Sequence, residues 1–161
     1  MREFYYNLFA DYYQFYLQDD DMSKGDLSDA WTSDATDALL AVAPHVIGVG
    51  TARNMTVPVS VMLCESRPNI SYNDWDYVTT ASLVIETGRI VVAGCTDYFP
   101  EAARIEVLPG TYEVIVCYGN LEDLSEDGLD GKDSYHLFVY PGHPIPPAIL
   151  KNRNQEGEDG G

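Results

Sequence analysis

The sequence predicts a mainly β protein, an antiparallel β-sandwich of seven or eight strands with one inserted helix at about residues 32–43. Three observations carry this. Alternating apolar segments recur along the chain and are separated by turn dipeptides such as Thr87-Gly88 and Pro109-Gly110. Only one segment has helical spacing together with a cap and a stop. Strands and helices do not alternate, which argues against a doubly wound fold or an α/β barrel.

Residues 4–18, FYYNLFADYYQFYLQ, carry the aromatic density of a strand, either one long one or two divided near Ala10-Asp11. Alternation sets Tyr13, Phe15 and Leu17 on one side and Tyr12, Gln14 and Tyr16 on the other, a candidate interface. An acidic loop without periodicity follows, from Asp19 to Trp31. Thr32, Ser33 and Asp34 then supply N-cap chemistry. Ala35, Ala38, Leu39 and Val42 form one apolar stripe, and Pro44 stops the helix at about Ala43.

After His45 the period changes to that of strands: Val46, Ile47 and Val49, then Val57, Val59, Val61 and Leu63. Ala52 to Met55 reads as the turn of a hairpin between them. Residues 65–75 are loop by composition. Tyr77–Glu86 and Arg89–Gly94 flank Thr87-Gly88 as a second hairpin. Arg104–Leu108 and Thr111–Tyr118 flank Pro109-Gly110 as a third. At that corner Tyr112 is placed to bond back to the turn backbone, as tyrosines do in sandwich corners. A second acidic loop, 119–133, leads to a last strand at 134–140. The chain therefore divides into one domain over 1–143 and a proline-rich, acidic tail over 144–161, expected to be partly disordered and unable to join a sheet centre.

Charge narrows the function. The net charge is −17 with nine Lys and Arg in 161 residues, so phosphate neutralisation is excluded and direct nucleic-acid binding with it. Basic proteins or cations are the fitting partners. The acids are focused. Asp19, Asp20, Asp21, Asp26, Asp29, Asp34 and Asp37 in the first region, with Glu122, Asp123, Glu126, Asp127, Asp130 and Asp133 in the second, are half of the 26 acids. The N-terminus has no signal-type run and no segment has the ~20 apolar residues of a membrane span, which predicts a soluble cytoplasmic protein. Cys64, Cys95 and Cys117 form no paired motif and read as buried reduced thiols.

Catalytic chemistry is not marked. His45, His136 and His143 lack a second ligand at metal spacing, no G-x-S-x-G elbow is present, and no cofactor motif occurs, so a non-enzyme is expected. One cation-binding fragment stands out. Asp123-x-Ser125-x-Asp127-Gly128 sets oxygens at the first, third and fifth positions of a calcium loop, but Ser134 stands where its bidentate Glu belongs. A calcium-dependent binding module is thus the alternative to the leading reading, an acidic partner-binding protein. That reading assigns the contact to Asp19, Asp20, Asp21, Asp26, Asp29, Glu122, Asp123, Glu126 and Asp127, with Tyr12 and Tyr16 of the aromatic face.

Several residues occur in an order that resembles a known family: Tyr12-Tyr13-Gln14-Phe15, Trp31-Thr32-x-x-Ala35, Arg53-Asn54, Val57-Pro58-Val59 and Leu108-Pro109-Gly110-x-Tyr112. The order is similar to that of the competence protein J family, inhibitors of a nuclease of DNA uptake, over residues 11–63 above all. The resemblance implies a small bacterial protein without catalysis that binds and inhibits a nuclease, and it names no inhibitory residue. An immunity protein against a nuclease toxin belongs to the same class.

Overall fold

The computed structural model describes residues 2–24, 26–27, 29–94 and 96–153. In chain order the elements are β1 (Arg2–Phe9), β2 (Gln14–Asp19), α1 (Ser33–Ala38), β3 (Leu40–Ala43), β4 (Val46–Gly50), β5 (Thr56–Leu63), β6 (Tyr77–Ile85), β7 (Arg89–Gly94), β8 (Ala103–Glu106), β9 (Gly110–Gly119), β10 (Ser134–Pro141) and β11 (Ala148–Lys151). Six strands form one sheet in the order β1-β5-β10-β9-β6-β11, and five form the other in the order β3-β4-β2-β7-β8. The mainly β sandwich expected from the alternation is the fold. Eleven strands among the described residues replace the expected seven or eight.

The three expected hairpins are not hairpins. β4 and β5, β6 and β7, and β8 and β9 each lie in different sheets, so the turns between them carry the chain across the sandwich. These arches stack in pairs. The β1 to β2 connection lies against the β4 to β5 connection, with β1 paired to β5 and β2 to β4. The Ala10 N–H donates to Met55 O, and the Thr51 N–H to Tyr13 O. Likewise β6 pairs with β9 and β7 with β8, and the Val107 N–H donates to Gly88 O across the two turns. Turn chemistry specifies a reversal of direction but not whether the next strand bonds to the last or packs over it. Gly88 is needed at its turn, since its φ of 80° is left-handed.

The helix is shorter than its stripe. Thr32 caps it, its side chain accepting from the Ala35 N–H, but Leu39 turns left-handed at φ 56° and residues 40–43 pair with β4. Sheet pairing overrides helical spacing there, and Pro44-His45 becomes the turn of a real two-residue hairpin. The tail is also corrected in part. Its residues 148–151 form an edge strand on β6, while 154–161 lie outside the described residues. Tyr112 donates to Leu108 O, as the corner predicted.

Between the sheets sits one core, including Phe15, Leu17, Ile47, Val61, Leu83, Ile90, Val116 and Leu137. Burying each such side chain stabilises by about 1.5–3 kcal/mol. Both outer faces are covered as well. Leu27 and Trp31 lie over Ala41 and Val46 on the smaller sheet, and Ile70, Tyr72 and Trp75 lie over Val78, Ile115 and Cys117 on the larger. No described helix is long and apolar enough to cross a membrane.

Candidate partner-binding surface

Strand registers fix what lies at each end of the sandwich. One end gathers residues 10–13, the C-terminus of α1, residues 51–55 and the 120–133 loop, since β1, β4 and β9 end there and β2, β5 and β10 begin there. The other end gathers Asp19, residues 44–45, the 86–88 turn and the 107–109 turn. Asp19, Asp20 and Asp21 therefore lie at the end opposite the 120–133 loop, whereas Asp34 and Asp37 sit on α1, whose C-terminus is at the loop's own end.

The first cluster is largely internal wiring. Asp19 closes β2 and is fully buried. Its carboxylate accepts from the Glu86 and Thr87 N–H groups at 2.8 and 3.1 Å and from the Thr87 hydroxyl at 2.6 Å. Burial pushes this carboxyl up, but those bonds and the Asp20 N–H outweigh it and hold it below the ordinary range. Asp20 accepts from Arg104 Nε at 3.0 Å and from Arg89 Nε at 2.7 Å, and both guanidinium groups hold its carboxyl low. The expectation that both are exposed contact groups is corrected: they tie β2 to β7 and β8. Asp21 bonds Ser23 and stays near Lys24, which pairs with Glu86. Asp26 and Asp29 are exposed on the segment crossing the smaller sheet.

Asp19, His45 and Glu86 lie close enough together to share a cation. His45 Nδ1 donates to Val84 O at 3.0 Å and faces Asp19 at 3.8 Å, whereas Nε2 faces Glu86 at 3.7 Å. Asp19 is already saturated with donors and Glu86 holds Lys24. The arrangement is a charged latch between β2 and the 86–88 turn.

The second cluster is presented to solvent. Glu122, Asp123, Glu126, Asp127 and Asp130 are all exposed. Their loop is anchored at its base by its one buried acid: Asp133 accepts from Arg53 Nε at 2.6 Å and from the Tyr135 hydroxyl at 2.7 Å. Arg53 also donates to Leu129 O at 3.2 Å. The calcium-like fragment is folded on itself. Asp127 accepts from the Ser125 hydroxyl at 2.6 Å and the Leu129 N–H at 3.0 Å, and these two bonds hold its carboxyl low.

The aromatic face is also rearranged. Tyr16 is half-buried against the Leu27, Ala41 and Val46 cluster, whereas Tyr12 sits in a 3-10 turn at the acidic end and is exposed. Tyr12 and Tyr13 have φ of 59° and 62°, left-handed values that bulky residues rarely adopt. Beside them a cleft of about 420 Å³ is lined by Tyr12, Tyr13, Gln14, Trp31, Thr36 and Leu39 with Gly50 and Thr51. No sequence pattern announces it, because it forms where three distant segments meet. The Trp31 indole N–H there has no partner among the described residues. A cleft of about 470 Å³ between Leu63 and Leu108 opens at the other end, away from the acidic loop.

No family model and no curated protein matches the chain. Two solved structures are similar to it. "Crocagin biosynthetic gene J" aligns with a TM-score of 0.56 and 19% identity, over 88% of this chain and 96% of that one. ComJ from Bacillus subtilis, inhibitor of the DNA degrading activity of NucA, aligns with a TM-score of 0.64 and 16% identity, over 88% of this chain and 96% of that one. The chain thus has a ComJ-like fold.

Proposed function

We propose that this chain is a non-catalytic cytoplasmic protein that binds and inhibits a nuclease or a similarly basic protein. The observation that carries the reading is the acidic end itself, where Glu122, Asp123, Glu126, Asp127 and Asp130 are exposed on a loop anchored through Asp133. A fixed negative surface next to exposed tyrosines steers a cationic partner and competes with nucleic-acid phosphate for its Lys and Arg. The ComJ-like fold supports the reading, because that protein inhibits a nuclease.

Purified chain titrated into a DNA-degradation assay with a basic nuclease tests it. Inhibition should be stoichiometric, and association should slow as salt shortens the Debye length from about 10 Å at 0.1 M to about 3 Å at 1 M. Failure to bind or inhibit any basic nuclease, including one encoded beside this chain, refutes the reading.

A further inference from the structure

The cleft at the acidic end has aromatic walls and no cation of its own. Its lining residues come from residues 12–14, 31–39 and 50–51, and the sequence holds no Lys or Arg from residue 3 to 23 or from 25 to 52. Asp11 adjoins Tyr12, and Asp34 and Asp37 are exposed on the helix that contributes Thr36. The guanidinium groups at this end are engaged elsewhere, that of Arg53 with Asp133 and Leu129 O and that of Arg153 with the Asp37 carbonyl and the Tyr77 ring.

The tyrosines are held in place at a conformational cost. The Tyr13 N–H donates to Ala10 O, the Thr51 N–H donates to Tyr13 O, and the Gln14 side-chain amide donates to Tyr12 O. These bonds lock two adjacent left-handed residues with their side chains 68% and 54% exposed. Strain of this kind persists where the surroundings over-determine it, and functional sites are where it concentrates. Elsewhere the chain sets its own arginines over aromatic rings, Arg2 on Phe4, Arg104 on Phe99 and Arg153 on Tyr77. Among the described residues, no such cation covers Tyr12, Tyr13 or Trp31.

We propose that this cleft anchors an arginine side chain of the basic partner, an inference that rests on the inhibitor reading above. Arginine fits better than lysine. Its planar, weakly hydrated guanidinium stacks on aromatic faces, and its fork of donors suits the exposed Thr36 hydroxyl. Exposed acids around the mouth supply the long-range attraction, while the rings supply the selectivity.

The test uses the full chain carrying Trp75→Phe, which leaves Trp31 as its one tryptophan reporter, titrated with acetyl-Gly-Arg-Gly-amide. Lysine and citrulline versions serve as comparisons. Trp31 emission and the amide shifts of Leu39 and Thr51 should saturate with the arginine peptide, respond several-fold more weakly to lysine, and not respond to citrulline. Tyr13→Gly removes the ring while relieving the left-handed backbone, so it should melt no lower than the parent and lose at least tenfold in peptide affinity. Equal binding of citrulline, unchanged binding by Tyr13→Gly, or no saturable response overturns the anchor. Nuclease inhibition is read separately with the parent chain. Inhibition without peptide binding sinks only the anchor, and peptide binding without inhibition of any nuclease sinks only the inhibitor reading.

Discussion

Arg53 Nε donates to Asp133 Oδ1 at 2.6 Å in the interior, joining the arch between β4 and β5 to the residue that precedes β10. The other Asp133 oxygen accepts from the Tyr135 hydroxyl, which itself accepts from the Ala52 N–H at 2.7 Å. One buried acid thus holds the base of the exposed acidic loop against β10 and the arch. The presentation of charge and the stability of the sandwich depend on the same pair.

Removing one partner of this pair should cost about 3–5 kcal/mol, because the other charge stays buried and uncompensated. Arg53→Met and Asp133→Asn should each lower the urea midpoint sharply, and the double variant should recover much of the loss. Tyr135→Phe should cost less, about 1–3 kcal/mol, by leaving the Ala52 N–H without its acceptor. Strictly additive losses in the double-mutant cycle would contradict the coupling.

Neutralising the two acidic regions should give opposite results. Asp19→Asn and Asp20→Asn should lower the melting temperature, because their partners are the 86–87 turn and two arginines. Glu122→Gln with Asp123→Asn and Glu126→Gln should leave it unchanged or raised, since like-charge repulsion is relieved, while slowing association with a basic nuclease. A fall in stability for the loop variant and none for the first would reverse the assignment.

Acidification should weaken the fold in two stages. Burial holds His136 below its ordinary value of 6.5, so the unfolded chain binds the proton first and stability declines as pH drops through that region. Asp19 and Asp20 are held below 3.8, so their contribution is complete above that value and is lost as pH falls further toward their folded values. Denaturant melts at stepped pH read this directly. His136→Gln should remove the upper stage and leave the lower.

Glycine substitutions should rank by what a methyl would meet. At Gly94 it would lie 2.2 Å from the Phe9 carbonyl oxygen, a backbone atom that cannot yield without moving β1. At Gly48 it would meet the tips of Leu27 and Trp31 at 2.8 Å, which can shift. Gly94→Ala should therefore destabilise more than Gly48→Ala, and thermal melts showing the reverse would count against the packing described.

Thiol labelling should separate the cysteines. Cys117 is sealed beneath Trp75 and Tyr72, and burial pushes its thiol up to about 12. Cys64 is only half-buried and should react before Cys117 under native conditions, while Cys95 lies outside the described residues. Simultaneous labelling would show that the cover over the larger sheet opens readily.

Strand positions were legible because alternation is a local property, and Tyr112 was legible because its corner is local too. Partnership was not. Thr87-Gly88 carries hairpin chemistry, yet the apolar residues of β6 on both faces reflect a sheet covered from outside by residues 70–75. Leu39 and Val42 fitted a helical stripe, and only pairing with β4 withdrew them from it. For the site, the exposed loop acids were readable as charge. Asp19 and Asp20 looked identical to them in sequence, since nothing local reveals that Glu86, Thr87, Arg89 and Arg104 converge there. The left-handed tyrosines left no trace in composition.

The stacked arches divide the molecule into two halves, residues 2–63 and 77–119, each carrying strands of both sheets. The smaller sheet joins them directly through β2 and β7, but the larger joins them only through β10, which runs parallel to β5 and antiparallel to β9. Until residues 134–141 leave the ribosome, β5 and β9 are two long apolar strands with open inner edges, the kind of template that recruits another chain. The intermediate that lacks β10 is therefore the most aggregation-prone one, and a chain truncated before Ser134 should collect in inclusion bodies rather than accumulate as a half-folded monomer.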